Sequence, residues 1–138
     1  MKTKRVLLVE DEPLLIDLYQ ERFNEEDFDL EIARDGNEAL KKADHGADLI
    51  LLDILLPGIN GFEVLRRLKR NLETRDIPVI VLTNLGSEQS DSDKQLAFSL
   101  GVGERRRDRP VSWGSGRPRL RPDQLPAHGA ELFLQGRP

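Results

Sequence analysis

The chain has 138 residues, 38% of them hydrophobic and 33% charged, which is enough for one domain with a buried core and excludes a multidomain enzyme. No apolar run approaches the roughly 20 residues of a membrane span and no secretory signal opens the chain, so we expect a soluble, cytoplasmic protein without a membrane partner. Because no cysteine is present, we expect neither disulfides nor thiolate metal sites. The net charge of -4 disfavours nucleic acid as a partner.

The first half of the chain predicts two strand-then-helix units. Residues 5–9 (RVLLV) form an apolar run typical of a buried strand, and Pro13 suits the first position of a helix that ends near Asn24. Residues 30–33 (LEIA) predict a second strand, and the turn residues 34–36 precede a second helix that Gly46 closes. The apolar stripes expected on these helices are Leu15, Leu18 or Tyr19, and Phe23 on the first, and Ala39, Leu40 and Ala43 on the second.

Two further units follow. Residues 49–52 (LILL) lack polar alternation, as expected of a central parallel strand covered on both faces, and the run ends at Asp53. A Pro-Gly pair and an Asn-Gly pair mark a tight loop before the third helix. Residues 78–82 (PVIVL) predict a fourth strand that ends at Thr83, followed by a polar loop over 87–93 and a fourth helix that stops at Gly101. The apolar faces expected here are Phe62, Leu65, Leu68 and Leu72 on the third helix, and Leu96, Ala97 and Leu100 on the fourth.

The order of these units predicts an α/β fold with a right-handed, doubly wound parallel sheet, whose ligands bind beyond the carboxyl ends of the strands. Glu10 and Asp11 follow the first strand, and Asp53 ends the third. Thr83 ends the fourth strand, so we expect all four residues to converge on one rim.

Three carboxylates at one rim repel one another unless a pKa rises or a hard divalent cation binds. Mg2+ is the cation that suits them best, because it takes oxygen ligands and commonly recruits a phosphate oxygen. An Asp carboxylate beside such a cation can attack phosphorus and form an aspartyl-phosphate, and the Thr83 hydroxyl could then donate to a phosphoryl oxygen. The rim therefore predicts a phosphoryl-handling site.

The same residues also have structural interpretations. Acidic residues at 10–12 suit the start of any helix, because the helix dipole favours negative charge there. A threonine at a strand end, such as Thr83, is common in any sheet. The combination of the acids with Asp53 favours the functional interpretation.

Three motifs identify a family. They are VLLVEDEP at the first strand, LILLDILLPGINGFEVL at the third and PVIVLTN at the fourth, in this order. With them, residues 1–102 resemble the receiver domain of response regulators in two-component signalling, which is flavodoxin-like and related to the chemotaxis regulators. The resemblance implies a histidine kinase or phosphotransfer protein as the phosphodonor and an unidentified downstream protein as the output partner. It also implies a phosphoacceptor that assists its own phosphoryl transfer, not an enzyme.

The resemblance also implies roles for individual residues. Asp53 is the phosphoacceptor, and Glu10 and Asp11 belong with it to the Mg2+ site. The backbone carbonyl of Leu55 is a further metal ligand, and Thr83 is the switch hydroxyl. Between the acceptor and the third helix, the loop is shaped by Pro57 and Gly61.

The family pattern breaks near residue 103. In the family, an apolar fifth strand ends in a Lys that pairs with the phosphoryl group, and Pro and a fifth helix follow, whereas residues 103–110 here read GERRRDRP. Neither the fifth strand nor the fifth helix is predicted. Counting on from Gly101 puts Asp108 at the Lys position, and a slip of one residue puts Arg109 there; an aromatic position that transmits the signal falls on Arg105.

Residues 103–138 form a tail of atypical composition, rich in Arg, Pro and Gly. From 104 onward the chain has 8 arginines, 4 acidic residues and no lysine, whereas 1–103 have 13 basic and 21 acidic residues. One hypothesis is an altered reading frame or an extension added in cloning, and another is a disordered appendage. Alternatively, the apolar cluster at 132–134 covers the sheet edge by an unfamiliar route; left uncovered, that edge favours dimerisation or strand exchange. A further interpretation of the arginine-rich tail is an arm that binds nucleic acid.

Three functions are compatible with these residues. The leading one is a receiver that takes a phosphoryl group on Asp53 and signals through partner binding. The second is a degenerate receiver, without phosphorylation, that serves as a binding or assembly module, and the lost Lys favours it. The third is a Mg2+-dependent phosphatase, which Leu55 disfavours because such enzymes need a second Asp at that position.

Overall fold

Strands and helices alternate along the first 83 residues of the computed structural model, which describes residues 4–24, 28–83, 92, 95–96, 99–100, 103–104, 121, 124 and 131–135. The elements in chain order are β1 (Lys4–Val9), α1 (Pro13–Arg22), β2 (Phe28–Ala33), α2 (Gly36–Asp44), β3 (Leu49–Asp53), α3 (Gly61–Arg70), β4 (Val79–Thr83), β5 (Gly103–Glu104) and β6 (Glu131–Gln135). The backbone is also helical at residues 92, 95, 96 and 99. Within the described ranges, each helix is too short or too polar to cross a membrane.

The strands form one sheet in the order β2-β1-β3-β4-β6-β5. The first four strands in this order run parallel to one another, which confirms the predicted α/β fold. In the middle of the sheet Val9 lies opposite Ala33 on one side and Leu52 on the other. The carboxyl ends of β1, β3 and β4 therefore meet at one edge of the sheet, which is where the predicted rim lies.

Alternate residues of β1, β3 and β4 pack into two apolar layers, one on each face of the sheet. The layer under α2 and α3 contains Leu7, Val9, Ile50, Leu52, Val79 and Val81. The layer under α1 contains Val6, Leu8, Leu49, Leu51, Ile80 and Leu82, together with Tyr19 and Phe23. Burying one such aliphatic side chain contributes roughly 1.5 to 3 kcal/mol, so both layers stabilise the strands that end at the rim.

The apolar face predicted for α1 is partly wrong. Leu15 and Leu18 are 41% and 38% exposed, whereas Ile16 is only 3% exposed and is buried with Tyr19 and Phe23. Five of the first seven residues of α1 are apolar. Helical spacing alone therefore allows several stripes, and contact with the sheet selects one of them.

The other predicted helix faces agree with the structure except at their ends. Phe62, Leu65 and Leu68 of α3 are buried, but Leu72 lies beyond the C-cap residue Asn71 and is exposed. On α2, Ala39 and Ala43 are buried and Leu40 is half-buried. In the predicted fourth helix, Leu100 packs against the α2–α3 layer and donates its N–H to the Leu96 carbonyl, while Leu96 is exposed. Ala97 and, apart from the helical residue 92, the predicted loop over 87–93 lie outside the described residues.

The strand beside β4 runs antiparallel to it. Val79 of β4 pairs with Gln135 of β6, and Thr83 pairs with Glu131. The two-residue β5 pairs with β6 in turn and is also antiparallel. The backbone of residues 131–135 thus lies along the sheet edge that the alternative assigned to the apolar cluster at 132–134. Arg105, Asp108 and Arg109 lie outside the described residues, as does most of the tail.

The position of β6 between β4 and β5 predicts the effect of a proline. Phe133→Pro removes a backbone N–H from the middle of β6 and should lower the free energy of unfolding by roughly 1–3 kcal/mol, the cost of a buried group left unpaired. Urea unfolding followed by circular dichroism measures the change. Phe133→Ile, which keeps the N–H and suits a strand, is the control, and equal midpoints for the two variants would show that β6 does not belong to the sheet.

Candidate acidic site

The candidate site begins where β1 and β3 end side by side. Val9 lies opposite Leu52, so the next residues along the two strands, Glu10 and Asp53, come directly next to each other. The Glu10 N–H donates to the Ala33 carbonyl at 2.9 Å, which extends the pairing with β2 by one residue. The strand register therefore determines which two carboxylates meet.

Glu10, Asp11 and Asp53 form an acidic cluster. Each offers one carboxylate oxygen, and these three oxygens lie within 4.8 Å of one another. The Glu10 side chain is only 3% exposed, Asp53 is half-buried and Asp11 is exposed. The cluster is therefore closed to solvent at Glu10 and open to solvent at Asp11 and Asp53. These three acids lie together at one rim, where the sequence predicted them.

Backbone amides hold the two less exposed carboxylates. Oε1 of Glu10 accepts from the N–H groups of Asp11 at 3.2 Å and Glu12 at 3.1 Å. Oδ1 of Asp53 accepts from the Leu55 N–H at 3.1 Å. Each carboxylate is therefore oriented by the loop that follows its own strand. Sequence reasoning missed both sets of amides, because a backbone donor leaves no residue-type signal.

The proximity of the carboxylates changes their protonation. Burial raises the pKa of Glu10 to about 7, and the neighbouring Asp53 contributes to the rise. Burial also raises the pKa of Asp53, whereas the Leu55 N–H and a hydrogen bond from Glu10 act in the opposite direction. Without a cation, a proton on Glu10 offsets the repulsion between the two groups near neutral pH.

The cluster also suits a divalent cation, which would take the place of that proton. Carboxylate oxygens are the ligands that hard cations prefer, and two oxygens on one such ion are at most about 4 to 5 Å apart. The 4.8 Å limit of the cluster is compatible with that separation. Glu10, Asp11 and Asp53 could therefore hold one metal ion with little movement.

Tyr19 lies close to the acidic cluster and stays neutral. Burial raises the pKa of its phenol well above the usual range, and the charges of Glu10 and Asp53 raise it further. A phenol that keeps its proton is a poor metal ligand. The sequence indicated Tyr19 only as a position on the apolar stripe of α1, and its proximity to the acids is a result of the tertiary structure.

Thr83 and Leu55 lie at the same rim. Asp53 pairs with Leu82, so the backbone of Thr83 comes one residue further along β4, while its hydroxyl lies outside the described residues. The Leu55 side chain is 67% exposed, and its N–H faces the Asp53 carboxylate. The roles predicted for the Thr83 hydroxyl and the Leu55 carbonyl stay predictions.

Gly61 lets α3 start directly behind the acceptor strand. A Cβ at this position would lie 2.4 Å from the Asp53 carbonyl oxygen and 2.6 Å from the Ile54 Cα, which no side chain tolerates. The Gly61 N–H also donates to the Ile54 carbonyl at 2.9 Å. The loop over 54–60 is thereby closed at its base, as the predicted role of Gly61 requires.

Known proteins share this sequence pattern. Residues 6–103 match the family described as the response regulator receiver domain. The transcriptional regulatory protein CpxR of Klebsiella pneumoniae is 39% identical over 98 residues, which cover 71% of this chain and 40% of that protein. The chain thus spans about 40% of the length of this curated relative.

Solved structures share the fold. The Mn2+-bound form of response regulator Rcp1 superposes with a TM-score of 0.62 and 36% identity, covering 70% of this chain and 75% of that one. The phosphorylated cyanobacterial phytochrome response regulator RcpA gives a TM-score of 0.63 and 32% identity, with coverages of 72% and 76%. The chain is therefore similar in fold and sequence to proteins solved with a divalent metal and in a phosphorylated form.

The raised pKa of Glu10 predicts how stability depends on pH. Between about pH 4.5 and 7 the native state binds a proton at Glu10 that the unfolded state has released, so the free energy of unfolding should fall as pH rises through this range. Glu10→Gln removes that proton and should flatten the dependence. Urea unfolding at pH 5 and pH 8 in a chelating buffer measures both slopes.

The matched control is Glu21→Gln, the same substitution at an exposed position on α1. It should retain the slope of the parent chain. A parent chain that is equally stable at both pH values, or a Glu10→Gln variant with an unchanged slope, would contradict the assignment.

Proposed function

Because the chain belongs to the response regulator receiver family, we propose that it accepts a phosphoryl group on Asp53 from the phosphohistidine of a histidine kinase or phosphotransfer protein. The main support is the acidic cluster at the carboxyl ends of β1 and β3, in which three carboxylate oxygens lie within 4.8 Å. The cation we propose for it is Mg2+, held by Glu10, Asp11 and Asp53 with the Leu55 carbonyl.

Burial distinguishes the acceptor from the other two acids. Glu10 is nearly inaccessible, and its Oε1 accepts two backbone N–H groups. Asp11 is exposed and has no described partner that orients its carboxylate. Asp53 is half-buried, reachable from solvent and oriented by the Leu55 N–H. A nucleophile needs both access and orientation, and in this cluster Asp53 alone combines them.

The transfer step balances without a further reactant. A carboxylate oxygen of Asp53 attacks phosphorus, an O–P bond forms, and the P–N bond to the donor imidazole breaks. The electron pair of that bond returns to the imidazole nitrogen, which takes a proton from solvent. When bound, Mg2+ neutralises charge on the phosphoryl oxygens and on the carboxylates. The Leu55 N–H keeps the Asp53 carboxylate in a fixed orientation during the approach.

The proposed output is binding to a downstream protein. The Thr83 hydroxyl would donate to a phosphoryl oxygen, and the resulting movement at the end of β4 would change the surface that this partner recognises. We place this exchange in the cytoplasm and treat the chain as a phosphoacceptor rather than an enzyme. We also propose 1–102 as the extent of the receiver domain, with the origin of 103–138 decided by sequencing the gene.

A degenerate receiver is the second candidate, and a specific observation favours it. In the family, the strand beside β4 ends in a Lys that pairs with the phosphoryl group, whereas here β6 occupies that place and runs in the opposite direction. Glu131, and not a Lys, pairs with Thr83. The chain has no lysine after Lys94. Such a protein would use its surface for binding or assembly without phosphorylation.

Metal binding should release the proton from Glu10, since its pKa is raised to about 7. As the pH is raised toward 7, the apparent affinity for Mg2+ should therefore increase by up to about tenfold per pH unit. Above pH 7 the affinity should become independent of pH. Isothermal titration calorimetry at pH 5.5, 6.5 and 8 measures this change. Asp11→Asn weakens the site without removing the Glu10 proton and should keep the pH dependence, whereas a pH-independent affinity of the parent chain would exclude Glu10 as a ligand.

Phosphorylation should depend on Asp53. Incubation with a small phosphodonor and Mg2+ should add one phosphoryl group, detected by intact-mass spectrometry and removed by hydroxylamine as expected of an acyl phosphate. Asp53→Asn should abolish the addition, because an amide oxygen is a poor nucleophile. Asp17→Asn, the same substitution at an exposed position on α1, is the control and should be labelled normally.

The same measurement separates the two candidate functions. Labelling that persists in Asp53→Asn would reject the acceptor assignment. A folded parent chain that binds Mg2+ but takes up no phosphoryl group, even at high donor concentration, would favour the degenerate receiver.

A further inference from the structure

The loop over residues 54–60, here called the acceptor loop, joins β3 to α3 beside Asp53. Three backbone hydrogen bonds hold its base: Ile54 N–H to the Leu82 carbonyl at 3.4 Å, and the N–H groups of Leu56 and Gly61 to the Ile54 carbonyl at 3.2 and 2.9 Å. Pro57, Gly58 and Asn60 are exposed. Backbone contacts thus hold the base of the loop, and its middle depends on the two half-buried side chains, Leu56 and Ile59.

Ile59 is seated on the first residue of α2. A Cβ built on Gly36 would lie 2.3 Å from Cγ1 and 2.7 Å from Cδ1 of Ile59, and 2.7 Å from Cγ2 of Val64. The Ile59 side chain therefore lies directly over the Gly36 Cα, where only a hydrogen leaves room for it. Gly36 is itself buried at the start of α2, and Asp35 caps this helix, because its Oδ1 accepts the Glu38 N–H at 2.8 Å.

The same loop positions the carboxylate of Asp53. The Leu55 N–H that donates to Asp53 Oδ1 lies between Ile54 at the base of the loop and the half-buried pair Leu56 and Ile59. The Leu55 side chain is mostly exposed and contributes little anchoring of its own. The Leu55 N–H belongs to the same planar peptide group as the Ile54 carbonyl, so the base of the loop fixes one side of this amide. Leu56 and Ile59 anchor the chain that continues on its other side.

We propose that Ile59, seated on Gly36, is a positioning residue for Asp53 and acts through the Leu55 amide. The consequence for phosphoryl transfer rests on the function proposed above, whereas the mechanical link from Gly36 to Asp53 does not. An added methyl group at Gly36 displaces Ile59 and shifts the acceptor loop. Loss of the Ile59 side chain beyond Cβ releases the loop instead.

A double-mutant cycle tests this link with Gly36→Ala, Ile59→Ala and the double variant. Two readouts are recorded: the NMR chemical shift of the Leu55 amide as a function of pH, which reports the Asp53 carboxylate, and the rate of labelling by a small phosphodonor with Mg2+. Each single variant should shift the Leu55 amide and slow labelling about tenfold at saturating donor, since a small misplacement of a reacting group costs that much or more. The double variant should be less impaired than the sum of the two single variants, because the Ile59 side chain that the methyl group displaces is already absent and only its contact with Val64 remains.

Two controls separate positioning from general destabilisation. Leu40→Ala truncates a half-buried side chain that packs on the same apolar layer but does not belong to the acceptor loop. It should lower the urea midpoint and leave both the Leu55 amide and the labelling rate unchanged. Ile59→Val keeps a branched side chain over Gly36 and should behave almost as the parent chain.

The outcomes are decisive in either direction. If Ile59→Ala lowers only the urea midpoint, as Leu40→Ala does, Ile59 is a packing residue and the proposal is wrong. Should Gly36→Ala fail to fold, the Leu55 amide in Ile59→Ala decides alone. A parent chain that takes up no phosphoryl group, with a Leu55 amide that still shifts in Ile59→Ala, would reject the proposed function and support the positioning role.

Discussion

The close approach of the Glu10 and Asp53 carboxylates is the constraint on which the rest of the structure depends. Their strands are parallel neighbours that end at the same level, so the two residues cannot lie far apart. Burial removes the water that would screen their charges, and both pKa values rise as a result. The repulsion must be offset by a proton or a cation, and the surrounding structure must be stable enough to keep the acids together.

That stability comes from strands that are apolar on both faces. Because the acids follow the strands and do not interrupt them, β1 and β3 keep an unbroken apolar pattern behind the rim, and Leu8, Ile50 and Leu51 are completely buried there. The edge of the sheet is less conventional. An antiparallel strand begins where a parallel strand would end, so the direction of β6 decides that Glu131 comes opposite Thr83. Strand direction thus decides which residue of β6 lies opposite Thr83.

The loops complete the site through their backbones. The amides of Asp11 and Glu12 bind Glu10, and the Leu55 amide binds Asp53, so neither carboxylate depends on a basic side chain among the described residues. Backbone donors are as rigid as the loop that holds them. The acceptor loop is held in place by two close contacts at glycines. The absence of a Cβ at Gly61 lets the loop lie against the end of β3, and its absence at Gly36 lets the loop lie against α2. Packing in the acceptor loop and electrostatics at Asp53 are therefore linked.

Much of this arrangement was determined by the sequence alone. Apolar runs that end in Glu10 and Asp53 predicted two strands with acids at their carboxyl ends, because the pattern of apolar residues along a strand is a local property of the chain. The buried stripe of α1 was not determined in this way: Leu15 and Leu18 have the same apolar character as Ile16, and only the sheet beneath the helix distinguishes them. The direction of β6 was also not determined by the sequence. Its apolar residues at 132–134 predicted a segment that covers the sheet edge, but not that this segment runs antiparallel to β4. The order of residues along the chain thus determined which chemical groups reach the rim. Tertiary packing decided the strand register, the direction of β6 and the contact of Ile59 with Gly36, because each of these depends on residues far apart in the chain.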